Sequence, residues 1–415
     1  MFYFVKVKSD ESVLQFIIFS MPNSQPLLQR AARYAFKVFI SLRLLTLLWV
    51  LLFASASDRT IVEPDVLCKT RSLSENSSNT VELLNSAIRW DTVCYLLIAE
   101  SGYTVQAGLT GWPPLYPILI RIFALVFRPP IFAALVVSGL ATWLAFTLLY
   151  VLIAENHDES KARNSLFLYA IYPHSFFLVY GYSEATFFVF VVASLLLAQK
   201  KYWGWAGILA GAAALTRNQG ILLSMVLLWE GVLQFREKPD QRFSDLFRPL
   251  VASTIPVLTF GAFSLYVHEV LRAGWPWQTL SYYWGEYLGW PWQGILGNAR
   301  RLLTVTTSTD LYWLPTTIVD LVFAITIPLV LAFNLRLGRS SHMIYAWAVL
   351  LLSLIKLEPN DTLWAFSRYA LTIFPFFVAA SPVVTNRYAR LGLVTFGLIL
   401  QGILVYMFYI WSLAG

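Results

Sequence analysis

Asp91 stands in the run Ile88-Arg89-Trp90-Asp91-Thr92, a polar stretch that follows the first strongly hydrophobic segment of the chain. A carboxylate fixed at a membrane surface beside Arg89 and Trp90 suits proton abstraction on a lipid-borne substrate. Three more polar groups interrupt apolar runs: Tyr182-Ser183-Glu184, Arg217-Asn218 and Arg368-Tyr369. A charge at membrane depth is expensive and is a functional candidate by default. A buried arginine there needs an anion, and Glu184, Asp91 or a ligand phosphate would serve. Each group also has a structural alternative. Trp90 and Asp91 would then sit on a headgroup-level helix, Glu184 in a loop, and the two arginines would pair with internal acids.

The elements that must position these residues are membrane helices. Hydrophobic residues are 58% of the 415 and charged ones 13%, a balance that no soluble core could use. The expected fold is an all-α polytopic bundle of about ten or eleven transmembrane helices. Residues 1–30 read as a cytoplasmic tail without a cleavable signal, and 31–415 as a single membrane domain. Arg30, Arg33 and Lys37 ahead of the first span put the amino terminus inside and the loop 57–112 outside. Val81 to Glu100 has apolar residues at helical spacing, predicting one or two amphipathic helices on the membrane surface. Lys200-Lys201, the basic stretch 236–248, Arg336 with Arg339 and Arg387 with Arg390 mark cytoplasmic turns. This assignment makes 115–127 a half-helix; if it spans, the middle of the chain flips.

Other features carry less. The net charge of +7 comes from these short loops and argues against a nucleic-acid partner. The loop 272–310, with Trp275, Trp277, Trp284, Trp290 and Trp292, reads as an external aromatic belt or as a stacking surface for sugar rings. His174 reads as a core or interface histidine. Four histidines without a pair, and no Asp-x-Asp, leave little basis for a metal site. Cys68 and Cys94 share one external loop, where a disulfide is permitted. Asn76 and Asn360 begin sequons that matter only in a eukaryotic secretory setting. No internal repeat is evident, which weakens a transporter built from inverted halves.

Taken in order, Arg-Trp-Asp with Ile-Ala-Glu-x-Gly-Tyr, Pro-Leu-Tyr-Pro, Gly-Tyr-Ser-Glu-Ala, an Arg-Asn-x-Gly break and Ser-Arg-Tyr resemble the GPI mannosyltransferase 2 (PIG-V-like) family. That family lies within the C-type superfamily of membrane glycosyltransferases, and the resemblance covers about residues 35–385. It implies a helical bundle whose first external loop carries the catalytic carboxylate. The family's Trp-Asp falls on Trp90 and Asp91, and its Tyr-Ser-Glu on Tyr182, Ser183 and Glu184. Its Arg-Ser-Asn-Gly appears as Arg217-Asn218-Gln219-Gly220, without the serine. The resemblance implies an inverting α-mannosyltransferase using a polyprenyl- or dolichyl-phosphate-mannose donor and a glycolipid acceptor such as a GPI precursor. No cofactor is implied. Asp91 would be the general base, with Arg89, Trp90, Tyr182, Ser183, Glu184, Arg217, Asn218, Arg368 and Tyr369 binding substrate. The active site would face away from the cytoplasm, in the endoplasmic reticulum of a eukaryote or the plasma membrane of a prokaryote. The alternatives are a C-type transferase with another polyprenyl-phosphate sugar or acceptor, and a lipid transporter without chemistry.

Overall fold

A computed structural model describes residues 25–56, 84, 86–103, 108–237, 243–305, 308–336, 338–359, 362–363 and 365–410. Most of the amino-terminal tail, most of the stretch 57–85, Cys68, Asn76 and Asn360 lie outside the described residues. Cys94 is disulfide-bonded.

The described residues are helical almost throughout. In order come α1 (Gln25–Ala56), α2 (Asp91–Ser101), α3 (Leu115–Phe123), α4 (Pro130–Asn156), α5 (Glu159–Ile171), α6 (Glu184–Gln199), α7 (Trp203–Ala214), α8 (Leu223–Arg236) and α9 (Phe247–Leu265). After α10 (Pro276–Trp284), β1 (Tyr287–Leu288), α11 (Gln293–Leu303), α12 (Ser308–Phe333) and α13 (Ser340–Ile355) follow β2 (Lys356–Glu358) and β3 (Thr362–Leu363). The chain ends with α14 (Phe366–Tyr369), α15 (Phe374–Ala380) and α16 (Arg387–Tyr409). The strands form a small antiparallel sheet in the order β1-β2-β3.

Local chemistry sets the helix starts. Pro130 opens α4, where its missing N–H is not needed. Asp158 caps α5 by accepting from the Lys161 N–H at 2.8 Å, and Asn386 caps α16 through Tyr388 and Ala389. Gly207 lets α7 approach α9 so closely that a Cβ there would lie 2.9 Å from the Ala252 backbone. Small residues at such contacts are the usual device of membrane helices.

Among the described residues five helices are long and apolar enough to cross a membrane, and the bent pair 366–385 makes a sixth. The other expected spans are present as shorter helices. α5 to α8 have 12 to 16 residues, about 18–24 Å of rise against the roughly 30 Å of a hydrocarbon core. α5 and α6 each pack against α4, α6 also packs against α7, and α7 and α8 pack against α9. Leu44, Leu48, Leu51, Leu258 and Phe396 turn outward, as lipid-facing residues should.

At one end of these helices lie the start of α5 and the ends of α6 and α8, with a set of polar pairs. Arg30 pairs with Glu159 at 2.9 Å, Lys200 with Glu155 at 2.9 Å, and Arg339 with the buried Glu230 at 2.7 Å. Asn156 and Gln234 tie into the same end through Gln199 and the Ala198 carbonyl. These are the groups whose charges the sequence placed on one side of the membrane. The segments 172–183 and 215–222 lie at the other end with α2. The nine-residue α3 rises only about 13 Å, in keeping with the half-helix that this arrangement requires.

Where the sequence predicted amphipathic surface helices, the described part holds one helix, α2, with Asp91, Thr92, Cys94, Tyr95, Leu96, Ile98 and Ala99 buried. It packs against α3 and α4. The apolar spacing that suggested a lipid-facing stripe is used against protein.

Candidate active site

Asp91 is the first residue of α2, where the helix dipole favours an anion. Trp90, just before it, has φ +48°, and Ala365, three residues before Arg368, has φ +41°. Both are left-handed turns in residues that rarely adopt them, and each swings the chain into the helix that delivers a charge. Glu184 is the first residue of α6, wholly buried. Arg217 sits in the extended break after α7.

From these four separate elements comes one buried cluster. Arg368 Nη2 donates to Asp91 Oδ2 at 3.1 Å. The Arg368 Nε lies 3.1 Å from Glu184 Oε1, and Arg217 Nη1 donates to that same oxygen at 2.7 Å. Arg217 also reaches the Ser183 hydroxyl at 3.0 Å, which bonds Tyr95 at 2.9 Å. Two carboxylates thus face two guanidinium groups. Such burial is tolerable only because the charges balance and are hydrogen-bonded. Aromatic faces complete the enclosure: the Arg368 guanidinium lies 5.3 Å from the Tyr182 ring and 5.2 Å from Tyr369, and Arg217 5.1 Å from Tyr369.

A partly open cavity lies beside this cluster. Asp91, Tyr95, Arg217, Asn218, Arg368 and Tyr369 reach it, as do Trp112, Trp284 and the ion pair Lys356–Glu286, 3.0 Å apart. Burial raises the Asp91 carboxyl above its ordinary range, and Arg368 opposes this more strongly than the nearby Glu184 adds to it.

The sequence-predicted residues therefore divide. Asp91, Arg217, Asn218, Arg368 and Tyr369 line the cavity. Ser183 and Glu184 hold the arginines from behind. Tyr182 backs Arg368 and donates to the Arg89 carbonyl at 3.2 Å. Arg89 itself is turned to backbone carbonyls, Tyr409 at 3.1 Å and Ile88 at 3.0 Å, and neither it nor Trp90 lines the cavity. Sequence reasoning missed Tyr95, Trp112, Glu286 and Lys356 as lining residues, and took Trp284 as part of an external aromatic belt or of a stacking surface for sugar rings. Among the described residues no three His, Cys, Asp or Glu side chains gather as a metal would need.

Residues 112–262 match the family described as dolichyl-phosphate-mannose-protein mannosyltransferase. That segment holds Glu184 and Arg217 but neither Asp91 nor Arg368. Mouse GPI alpha-1,6-mannosyltransferase 2 is 27% identical over 214 residues, 47% of this chain and 42% of the mouse protein. GPI mannosyltransferase 2 of Yarrowia lipolytica is 31% identical over 100 residues, 24% of this chain and 28% of the yeast protein. The chain thus spans less than half the length of these relatives. The resemblance to the GPI mannosyltransferase family read from the motifs is borne out by these matches. Among solved structures, Archaeoglobus fulgidus oligosaccharyltransferase in its apo form aligns with 79% of this chain and 51% of its own, at TM-score 0.39 and 14% identity. The same enzyme tethered to an acceptor peptide aligns with 92% of this chain and 55% of its own, at TM-score 0.41 and 13% identity. That likeness is too distant to bear on mechanism.

Proposed function

From its kinship with the GPI mannosyltransferases, we propose that this chain transfers mannose from a polyprenyl- or dolichyl-phosphate donor to a lipid-linked acceptor. The observation that carries the reading is Asp91: one carboxylate that lines the cavity, in contact with Arg368 and close to Arg217. Oδ2 is held by Arg368, so Oδ1 is the oxygen offered to an acceptor hydroxyl.

In this reading Asp91 takes the hydroxyl proton as the oxygen attacks the anomeric carbon. The bond from that carbon to the phosphate oxygen breaks, and the lipid phosphate leaves with the electron pair. Phosphate is a weak base and needs no proton, unlike the leaving group in glycoside hydrolysis, so a second carboxyl acid is not required. A single displacement inverts the β-linked donor sugar to an α-mannoside. A positioned base contributes about 10²–10⁴-fold, or about 3–5 kcal/mol of barrier. The raised Asp91 carboxyl brings the base nearer neutrality, where base catalysis is most effective. Arg217, Arg368 and Lys356 supply positive charge for the departing phosphate, and the donor's tail stays in the bilayer.

Transfer of radiolabelled mannose from a polyprenyl-phosphate donor into a membrane lipid extract tests this, with wild type and Asp91→Asn side by side. The expected result is a labelled lipid made by wild type and reduced at least a hundredfold in the variant. Wild-type rates in Asp91→Asn would remove Asp91 from its role. Label recovered in protein rather than lipid would replace the acceptor class.

A further inference from the structure

Arg368 separates the first cavity from a second, partly open one, which Asp91 does not reach. Its walls come mostly from the carboxy-terminal third: Asn298 and Arg301 on α11, Trp313 and Asp320 on α12, and Glu358 on β2, joined by His174 from the segment between α5 and α6. The lining is built and held. Asp320 Oδ1 accepts from the Ser367 N–H at 2.8 Å and from its hydroxyl. Asn298 accepts from the Leu363 N–H at 3.1 Å.

Apart from Arg368 Nε, which faces Glu184 Oε1 at 3.1 Å, two polar atoms in this wall have no hydrogen-bond partner among the described residues: His174 Nδ1 and Arg368 Nη1. The two residues are only 3% and 2% exposed. Buried polar groups are nearly always satisfied, so a pair left over around a polar cavity implies a polar guest. The charges narrow its chemistry. Among the described residues Asp320 and Glu358 face Arg301, whose guanidinium lies 5.6 Å from the Trp313 ring, and Arg368, which Asp91 and Glu184 already balance. A phosphate here would meet two carboxylates. A hydroxyl-rich ring would meet acceptors, donors and an aromatic wall.

Resting on the mannosyltransferase reading above, we infer that this second cavity binds an uncharged sugar ring of the acceptor glycolipid, one residue removed from the ring that Asp91 activates. Arg368 joins the two subsites: one nitrogen serves Asp91, and another is left for the remote sugar. The cavity would thus set the minimum acceptor, favouring a headgroup of two rings over one.

Binding tests this without any transfer step. The probes are two synthetic dialkylglycerols carrying one hexose or two, titrated calorimetrically into the detergent-solubilised full chain. Wild type should bind the two-hexose lipid at least tenfold more tightly. Glu358→Gln, which keeps the shape, and Trp313→Leu, which removes the wall, should each bring that ratio towards one in protein that remains monodisperse. Equal affinities in wild type, or a ratio unchanged in both variants, would overturn the assignment. So would tighter binding of a two-hexose lipid phosphorylated on its distal ring. If mannose transfer proceeds and the ratio is absent, the pocket alone is wrong. If the ratio holds and no mannose is transferred, the pocket stands and the donor reading falls.

Discussion

Replacing Arg368 by Met removes one of two positive charges that balance Asp91 and Glu184. The remaining cluster is two carboxylates against Arg217, all buried, and of the two carboxylates Arg217 pairs with Glu184 alone. Removing one partner from a buried ion pair costs about 3–5 kcal/mol, chiefly because an uncompensated charge is left behind. Arg368→Met should therefore lower unfolding stability by about that much, read from tryptophan fluorescence during denaturant titration in micelles. Glu184→Gln alone leaves an excess cation and should also destabilise. Combining the two restores neutrality, with Asp91 and Arg217 remaining. The double variant should be more stable than the sum of the single losses by about 1–3 kcal/mol, the range of coupling between contacting residues. Acid should act like the second substitution. Arg368 is the main influence holding the Asp91 carboxyl down, so its loss raises that carboxyl further, and the deficit should shrink as pH falls and Asp91 takes up a proton. Strict additivity together with a pH-independent deficit would refute the view that charge balance holds this site together.

Two further outcomes follow from the same packing. A Cβ added at Gly220 would lie 2.2 Å from the Ala214 nitrogen and 2.5 Å from its Cα; backbone there cannot give way cheaply, so Gly220→Ala should cost about 1–3 kcal/mol in the same titration, and unchanged stability would count against this tight break after α7. Burial, with Asp320 nearby, lifts Glu358 to about 7, above the roughly 4.3 of an unfolded glutamate. The stabilisation this represents is present below about pH 4 and is lost as pH rises through about 7. Stability lost between pH 5 and 8 should therefore be smaller in Glu358→Gln by about 3 kcal/mol, and parallel pH curves would refute the shift.

Much of this was legible in the sequence for one reason: charge is rare in a chain this apolar. Asp91, Glu184, Arg217 and Arg368 each announced themselves by interrupting a hydrophobic run. Their pairing did not, because Asp91 and Arg368 are 277 residues apart and no spacing rule connects them. Arg89 looked as promising as Asp91, yet its side chain turns to the carbonyls of Ile88 and Tyr409, a choice that only tertiary packing makes. Asp320 was overlooked although it carried the same signal, a lone acid among Ile318, Val319, Leu321 and Val322. The helix breaks were readable from polar residues, but the packing of α2 was not, since an apolar stripe does not say whether lipid or protein covers it.

The shortness of α5 to α8 has a consequence for where chemistry happens. Helices that rise only about 18–24 Å, set with one end at a membrane face, stop short of the opposite headgroups across a hydrocarbon core of roughly 30 Å. The charged cluster at their far ends then lies beneath the plane where lipid phosphates normally rest. A phosphate-bearing substrate must sink, or the bilayer must thin around the protein, before the two meet. Membrane thickness thereby becomes a control on turnover: the same chain should work faster in short-tailed lipid than in thick, sterol-stiffened bilayers.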